Sequence, residues 1–279
     1  MVYINKLSPT RLDVIQQCQL KYRFQYVDYI SMVFNEKVDN TDHLQFGSYL
    51  HRIFELGIKC TKLEELLIIA KEERDNYTFF ESRNKEIKNH LMNFLVFAGR
   101  VRDNVIATEQ SIEIPILDSK GKEVFSTNPK IDLLVQGKRG KILIVDFKTG
   151  KNEKTQFELL KDNQLRFYTM VVSESMNIPV NKISASLMYT KSGRLTNPIT
   201  YTPQMIASFK KGCIDDVWRL RKKKKLDLAP RLNRFCNWCQ FKGLCNLHTK
   251  GTVIQENIKA WNQFKEQQKL IQESVENKD

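Results

Sequence analysis

Hydrophobic positions along the chain switch between two periods. Residues 8 to 28 (SPTRLDVIQQCQLKYRFQYVD) carry apolar side chains at three- and four-residue intervals behind Ser8 and Pro9, a cap and first-turn pair that predicts a helix. The same period recurs in 43 to 59 (HLQFGSYLHRIFELGIK), twice between 61 and 103, in 155 to 174 (TQFELLKDNQLRFYTMVVSE) and in 203 to 225. Between these helices lie short runs of strand character: 105 to 117 (VIATEQSIEIPIL), IDLLV and KILIVDF within 128 to 150, and KISASLMYT with RLTNPITYT. IDLLV and KILIVDF flank QGKRGK, where Gly137 and Gly140 predict a tight turn and hence a hairpin; KSGR predicts a second one. Helices alternating with strands predict an α/β fold, a mixed central sheet flanked by helices. The last stretch, 251 to 279, predicts a helix fraying into a polar end.

Charged side chains interrupt the apolar hairpin at three places. Asp132 falls near the start of its first strand, and Asp146 and Lys148 end the second, two residues apart and so on one face. Burying two carboxylates beside a sheet is costly unless a cation offsets them. The pattern points to a divalent metal on Asp132 and Asp146 with Lys148 beside it, the chemistry of phosphodiester hydrolysis. A cross-strand ion pair between Asp132 and Lys148 is the alternative. Glu109 shares a side of its predicted strand with Ser111 and Glu113; it either orients a water or a ligand, or pairs with a surface lysine. His51 follows Gly47 by four residues on one helix face and, taken alone, reads as a partly buried core histidine. A glycine inside a helix costs about 1 kcal/mol against alanine, so Gly47 marks a close approach. Gln164 and Tyr168 share a helix face and offer an amide and an aromatic ring to phosphate or base. His90 has no partner in the sequence pattern and reads as structural.

Composition narrows the partner. The 279 residues carry a net charge of +13 with a pI near 9.4, which favours a polyanion, nucleic acid first. No long apolar run and no signal-like start are present, so a soluble intracellular protein with no membrane partner is expected. Five basic residues, Arg221 to Lys225, close the helix from 203, either as a solvated end or along phosphates. Of six cysteines, Cys236, Cys239 and Cys245 crowd into one loop, which suits a metal or cluster in a reducing compartment better than disulfides. Three thiolates need a fourth ligand, and His248 would complete a Cys3His zinc site. Cys18, placed within the first helix, reads by itself as a small buried hydrophobe, and Cys60 and Cys213 as ordinary thiols.

The ordered set Cys18, GSYLH ending at His51, Glu109, KIDLLV with Asp132, IVDFKTGK with Asp146 and Lys148, Gln164 with Tyr168, and CxxCx5C spans 8 to 248. It resembles the PD-(D/E)XK nuclease superfamily. It is most similar to the RecB-like branch with an iron-sulfur staple, as in AddB-type nuclease domains and CRISPR-associated spacer-acquisition nucleases. One departure stands out: Asn128, Pro129 and Lys130 occupy the place where relatives often have a glycine before the first aspartate.

The resemblance implies a restriction-endonuclease-like core in a single nuclease domain over 1–279. Within it lie N-terminal helices (1–60), a helical cover (61–104), a catalytic core (105–202), a helix with the cysteine loop (203–250) and the tail. It implies a metal-dependent DNA nuclease, an exonuclease on single-stranded ends serving recombination, repair or phage- or CRISPR-related DNA processing. Mg2+ or Mn2+ would sit on His51, Asp132, Asp146 and the carbonyl of Phe147. Lys148 would position water and stabilise phosphate charge, with Glu109 beside it and Gln164 and Tyr168 on the DNA. Cys18 would close a 4Fe-4S cluster with Cys236, Cys239 and Cys245. A cytoplasmic protein of prokaryotic or phage origin, with a helicase or a recombination or integration partner, fits the same resemblance. The rival reading is a DNA-binding subunit with little hydrolysis of its own.

Overall fold

The structure, a computed structural model, describes residues 2–30, 40–245 and 247. A short strand β1 (Lys6–Leu7) leads into α1 (Pro9–Gln17) and α2 (Gln19–Tyr26), followed by α3 (Asn40–Gly57), α4 (Leu63–Glu73) and α5 (Asn84–Val101). Five strands come next: β2 (Val105–Ser111), β3 (Ile114–Leu117), β4 (Glu123–Thr127), β5 (Lys130–Gln136) and β6 (Ile142–Lys148). Helices α6 (Gln156–Leu160) and α7 (Asn163–Met176) precede β7 (Ile183–Tyr189) and β8 (Arg194–Leu195), and α8 (Pro203–Arg221) follows. The chain divides into two compact units. One comprises Asn5–Pro9 and Asp39–Asp215, the other Met1–Ile4, Thr10–Val38 and Asp216–Asp279.

The larger unit is built on a mixed five-stranded sheet in the order β2-β5-β6-β7-β8. β5 and β6 form the expected antiparallel hairpin, with Leu133 opposite Val145 and Gln136 opposite Ile142. Its turn takes positive φ at Arg139 and Gly140, whereas Gly137 is extended. β6 and β7 run parallel, and a parallel pair needs a crossover, which α6 and α7 supply. The central strands are apolar almost throughout because both of their faces are buried. Against one face pack α3, α4 and α5. There Phe54 stacks on Phe94 at 4.4 Å, and Phe147 of β6 meets both rings edge-on at 5.1 and 5.7 Å. His90 of α5 is fully enclosed, its Nδ1 2.8 Å from the Thr190 hydroxyl just beyond β7.

Two expected elements are divided. The strand from 105 to 117 is two strands: β2 leaves the large sheet after Ser111, and β3 joins a second sheet of order β1-β4-β3. At the crossing the Ile112 N–H donates to the Pro129 carbonyl at 3.2 Å, and Glu113 pairs with Lys6 at 3.2 Å. The helix from 155 to 174 breaks at Asp162, whose carboxylate accepts the Leu165 N–H at 2.9 Å and caps α7. A short acidic side chain can satisfy a free helical N–H, so here it starts a new helix instead of continuing the old one.

In the smaller unit α1 and α2 are likewise separate. Cys18, expected inside one helix, has extended backbone (φ −162, ψ 116) and caps α2, its sulfur accepting the Lys21 N–H at 3.5 Å. The segment after α8 returns to this corner: the Leu20 N–H donates to the Ala229 carbonyl at 3.2 Å, and the Asn233 amide to the Gln17 carbonyl at 3.2 Å. Phe24 and Phe241 pack with ring centroids 5.5 Å apart. Of the basic run from 221 to 225, only Arg221 lies in α8. His248 and the helix expected over 251 to 279 lie outside the described residues. No described helix is long and apolar enough to cross a membrane.

Burial holds the His90 imidazole down at about 4, so it is neutral in the fold and gains a proton near 6.5 only on unfolding. Its contribution to stability is therefore full above about pH 6.5 and is lost as pH falls toward about 4. Urea midpoints of the wild type should drop more steeply over that window than those of His90→Gln; parallel slopes would contradict the assignment.

Candidate active site

Strand register brings three carboxylates into one row. Thr108 pairs with Leu133 and Gln110 with Ile131, so Glu109 of β2 stands opposite Asp132 of β5. Leu133 with Val145 is the last registered pair of the hairpin, and one step further brings Asp132 level with Asp146 of β6. The ladder stops there, and Asp132 Oδ2 instead accepts the Phe147 N–H at 2.7 Å. Glu109 has φ +47, a backbone region that non-glycine residues visit rarely and that recurs at functional sites. Like charges directly opposite on paired strands are destabilising. Burial sharpens the conflict, since Asp132 is 7% exposed and Asp146 1%.

Cations surround the row. His51 reaches in from α3, its Nδ1 3.5 Å from Glu109 Oε1 and 3.5 Å from Asp132 Oδ1. Gly47, one turn earlier, faces the Thr149 hydroxyl, which a β-carbon there would meet at 3.4 Å, an ordinary contact. Lys130 places its ammonium 2.7 Å from Glu109 Oε2. Lys148 pairs with the buried Asp146 carboxylate, its ammonium 2.8 Å from Oδ2. The ammonium donates to Gln164 Oε1 at 2.8 Å. The Gln164 amide donates to the Tyr168 hydroxyl at 2.7 Å, and that hydroxyl to the Lys130 carbonyl at 2.9 Å.

Titration behaviour follows from these contacts. Burial pulls the His51 imidazole down, but Asp132, Glu109 and Asp146 outweigh it and raise it to about 10. Burial pushes the Asp146 carboxyl up, and the Asp132 charge adds to this against Lys148. Burial also lowers Lys148, yet Asp146 beside it keeps the ammonium above its usual range. For Glu109 burial acts upward, and His51 and Lys130 together hold it below the ordinary carboxylate range.

The donor set fits a divalent ion. Ligand atoms of His51, Glu109 and Asp132 all lie within 4.8 Å of one another, which no other His, Cys, Asp or Glu group does among the described residues. One imidazole nitrogen and two carboxylate oxygens, with the Asp146 carboxylate one strand on, suit a hard divalent ion. Glu109 stands as close to His51 as Asp132 does, and Asp146 sits against Lys148. The Tyr168 ring is buried, 4% exposed, so it offers no stacking face; with Gln164 it positions Lys148. A cleft of about 480 Å³ opens over His51, Glu109 and Lys130, with Ser48, Tyr77 and Thr149 on its walls. Lys130, at a position where relatives often have a glycine, lies two residues before Asp132 and so on the same strand face, which is the signal the sequence carries for it.

The cysteines expected to share a centre line one pocket. Cys18, Cys236, Cys239 and Cys245 surround it together with Lys21, Arg231 and Lys242. The Asn233 N–H donates to Cys236 Sγ at 3.3 Å, and burial raises the Cys239 thiol against a hydrogen bond from the Phe241 N–H.

Residues 6–246 match the model of the PD-(D/E)XK nuclease superfamily. No curated protein matches the chain. Among solved structures, the crystal structure of SSO0001 is similar over 90% of this chain and 90% of its own, at 15% identity and a TM-score of 0.44.

Tyr168→Phe removes the hydroxyl that links Gln164 to the Lys130 carbonyl and leaves both without that partner. The variant should lose about 1–2 kcal/mol of stability in urea unfolding, while the ring keeps its packing. A loss below about 0.3 kcal/mol would mean that this bridge does not tie the lysine to β5.

Proposed function

The chain belongs to the PD-(D/E)XK nuclease superfamily, and on that premise we propose that it is a RecB-like, metal-dependent deoxyribonuclease that hydrolyses single-stranded DNA from an end. The observation that carries the reading is the row of Glu109, Asp132 and Asp146 with His51 at one end and Lys148 at the other. His51, Glu109 and Asp132, with Asp146 nearby, would hold Mg2+ or Mn2+. Such an ion supplies Lewis-acid stabilisation of phosphate charge and lowers the pKa of water. Asp132 is held for this task by the Phe147 N–H, and Phe147 is held by the aromatic stack beneath the sheet.

Lys148 remains a cation, so its part is to position the phosphate and stabilise the charge that develops on it. Asp146 and Gln164 aim that ammonium, and Tyr168 fixes Gln164 to the backbone of β5. End-directed action rests on the resemblance to RecB-like enzymes alone.

For the cysteine pocket we infer a 4Fe-4S cluster on Cys18, Cys236, Cys239 and Cys245. Two features support a group bulkier than one zinc ion. Cys18 lines the pocket with the loop cysteines. Among the described residues, no three of these sulfurs lie within 4.8 Å of one another, whereas tetrahedral zinc with 2.3 Å bonds would gather them to about 3.8 Å. N–H donors to Cys18 and Cys236 suit thiolate ligands.

Two experiments test these readings. End-labelled linear single strands should be degraded with Mn2+ or Mg2+ while closed circles resist. Lys148→Ala should abolish turnover with DNA affinity within a few fold of wild type, because one lysine among 45 basic residues adds little to total phosphate attraction. Turnover near wild type in that variant would sink the catalytic assignment, and tight DNA binding without cleavage by the wild type would favour the DNA-binding subunit. Anaerobically purified protein should hold about four iron atoms per chain, lost in Cys18→Ala as in Cys236→Ala. One zinc that survives Cys18→Ala and is lost in His248→Ala would replace the cluster with a Cys3His site.

A further inference from the structure

The candidate site carries three long basic side chains, each held differently. Arg52 is tied to two acids, Glu55 at 2.7 Å and Glu73 at 3.5 Å. Lys148 is 32% exposed and lies between Asp146 and Gln164. Lys130 is 59% exposed, yet its ammonium reaches 2.7 Å to Glu109, a carboxylate only 8% exposed. Its main chain is fixed, because its carbonyl accepts the Tyr168 hydroxyl, while its four-carbon stem remains able to swing. Glu109 is thus divided: Oε1 faces His51 and Oε2 faces Lys130.

We propose that Lys130 is a mobile counter-charge, which holds Glu109 while the acid row lacks a divalent ion and turns to a substrate phosphate when the ion takes Glu109. The inference rests on the metal-dependent reading above and deepens it. An ion on Glu109 draws off part of its negative charge and repels the nearby ammonium, so loading the site weakens the hold of Glu109 on Lys130 and favours the swing. The cleft it would swing into is about 480 Å³ and is also lined by Ser48, Tyr77 and Thr149, hydroxyl side chains that suit a phosphate. A lysine acts there as a point charge on a phosphate oxygen, with no need for the fixed geometry of an arginine fork. Lys130 is therefore a positioning residue in the free protein and a substrate contact in the loaded one.

The test separates its two halves and uses binding, not turnover. Mn2+ affinity of the DNA-free protein is read by electron paramagnetic resonance of free Mn2+, and affinity for a labelled single-stranded oligonucleotide is read in Ca2+ over a salt series. Lys130→Met should bind Mn2+ about fivefold more tightly, since Glu109 has lost a competing cation. It should bind the oligonucleotide about fivefold more weakly, with the salt slope reduced by about one. Lys130→Arg should stay near wild type in both, and Lys130→Gln repeats the charge removal should the methionine variant misfold. A merely structural ion pair would loosen both affinities together. Unchanged or weakened Mn2+ binding in the charge-free variants overturns the proposal, as does unchanged oligonucleotide affinity. Failure of the wild type to take up Mn2+ at all is a different result and overturns the metal reading beneath it.

Discussion

Three carboxylates facing one another across adjacent strands are the constraint on which the larger unit depends. Glu109, Asp132 and Asp146 stand where the β5–β6 ladder ends, so the backbone there leaves donors to be satisfied by side chains. Such a row is untenable in a buried sheet without positive charge, and the surrounding elements deliver it: α3 brings His51, β5 brings Lys130, and β6 brings Lys148. The rest of the unit holds these groups in place. Phe147 alternates with Asp146 and Lys148 along β6, so the strand that presents the charges is anchored by a ring set edge-on against the Phe54–Phe94 stack.

Much of this was legible from periodicity and residue type. The hairpin, the helix carrying His51 and the QxxxY helix follow from apolar spacing, and the charged interruptions of a buried strand mark the site because nothing in folding alone favours them. The subdivisions were not legible. Partial alternation carries across 105 to 117 with no turn signal, but the chain changes sheets at Ile112, where its N–H donates to the Pro129 carbonyl and Glu113 pairs with Lys6. Asp162 looked like an ordinary polar position in a helix and proved to be a cap, as did Cys18. Lys130 is weakly marked because a lysine at a strand end is commonplace on a chain with 45 basic residues; its face on β5 is shared with Asp132, and its distance to Glu109 sets it apart. The buried Tyr168 shows the same limit: spacing puts it on one helix face with Gln164 but does not tell which of them meets solvent.

The smaller unit solves a different problem. Its helices α1 and α2 are short, and the segment beyond α8 returns to them through backbone bonds at Leu20 and Gln17 and a ring contact at Phe24. The four cysteines meet at that closure, where a bound group would join segments more than two hundred residues apart in sequence. The break at Cys18 turns its sulfur toward the first free N–H groups of α2, where it accepts the Lys21 N–H.

The central claim is that the carboxylate row exists to hold a divalent cation. Thermal unfolding of the wild type and of Asp132→Asn, each with and without Mn2+ at matched ionic strength, tests it most directly. Because an ion that binds only the folded state adds stability, about 2.7 kcal/mol at one hundred times its Kd, Mn2+ should raise the wild-type Tm by several degrees and leave the variant nearly unmoved. Equal shifts in both proteins, or none in the wild type, would contradict the account.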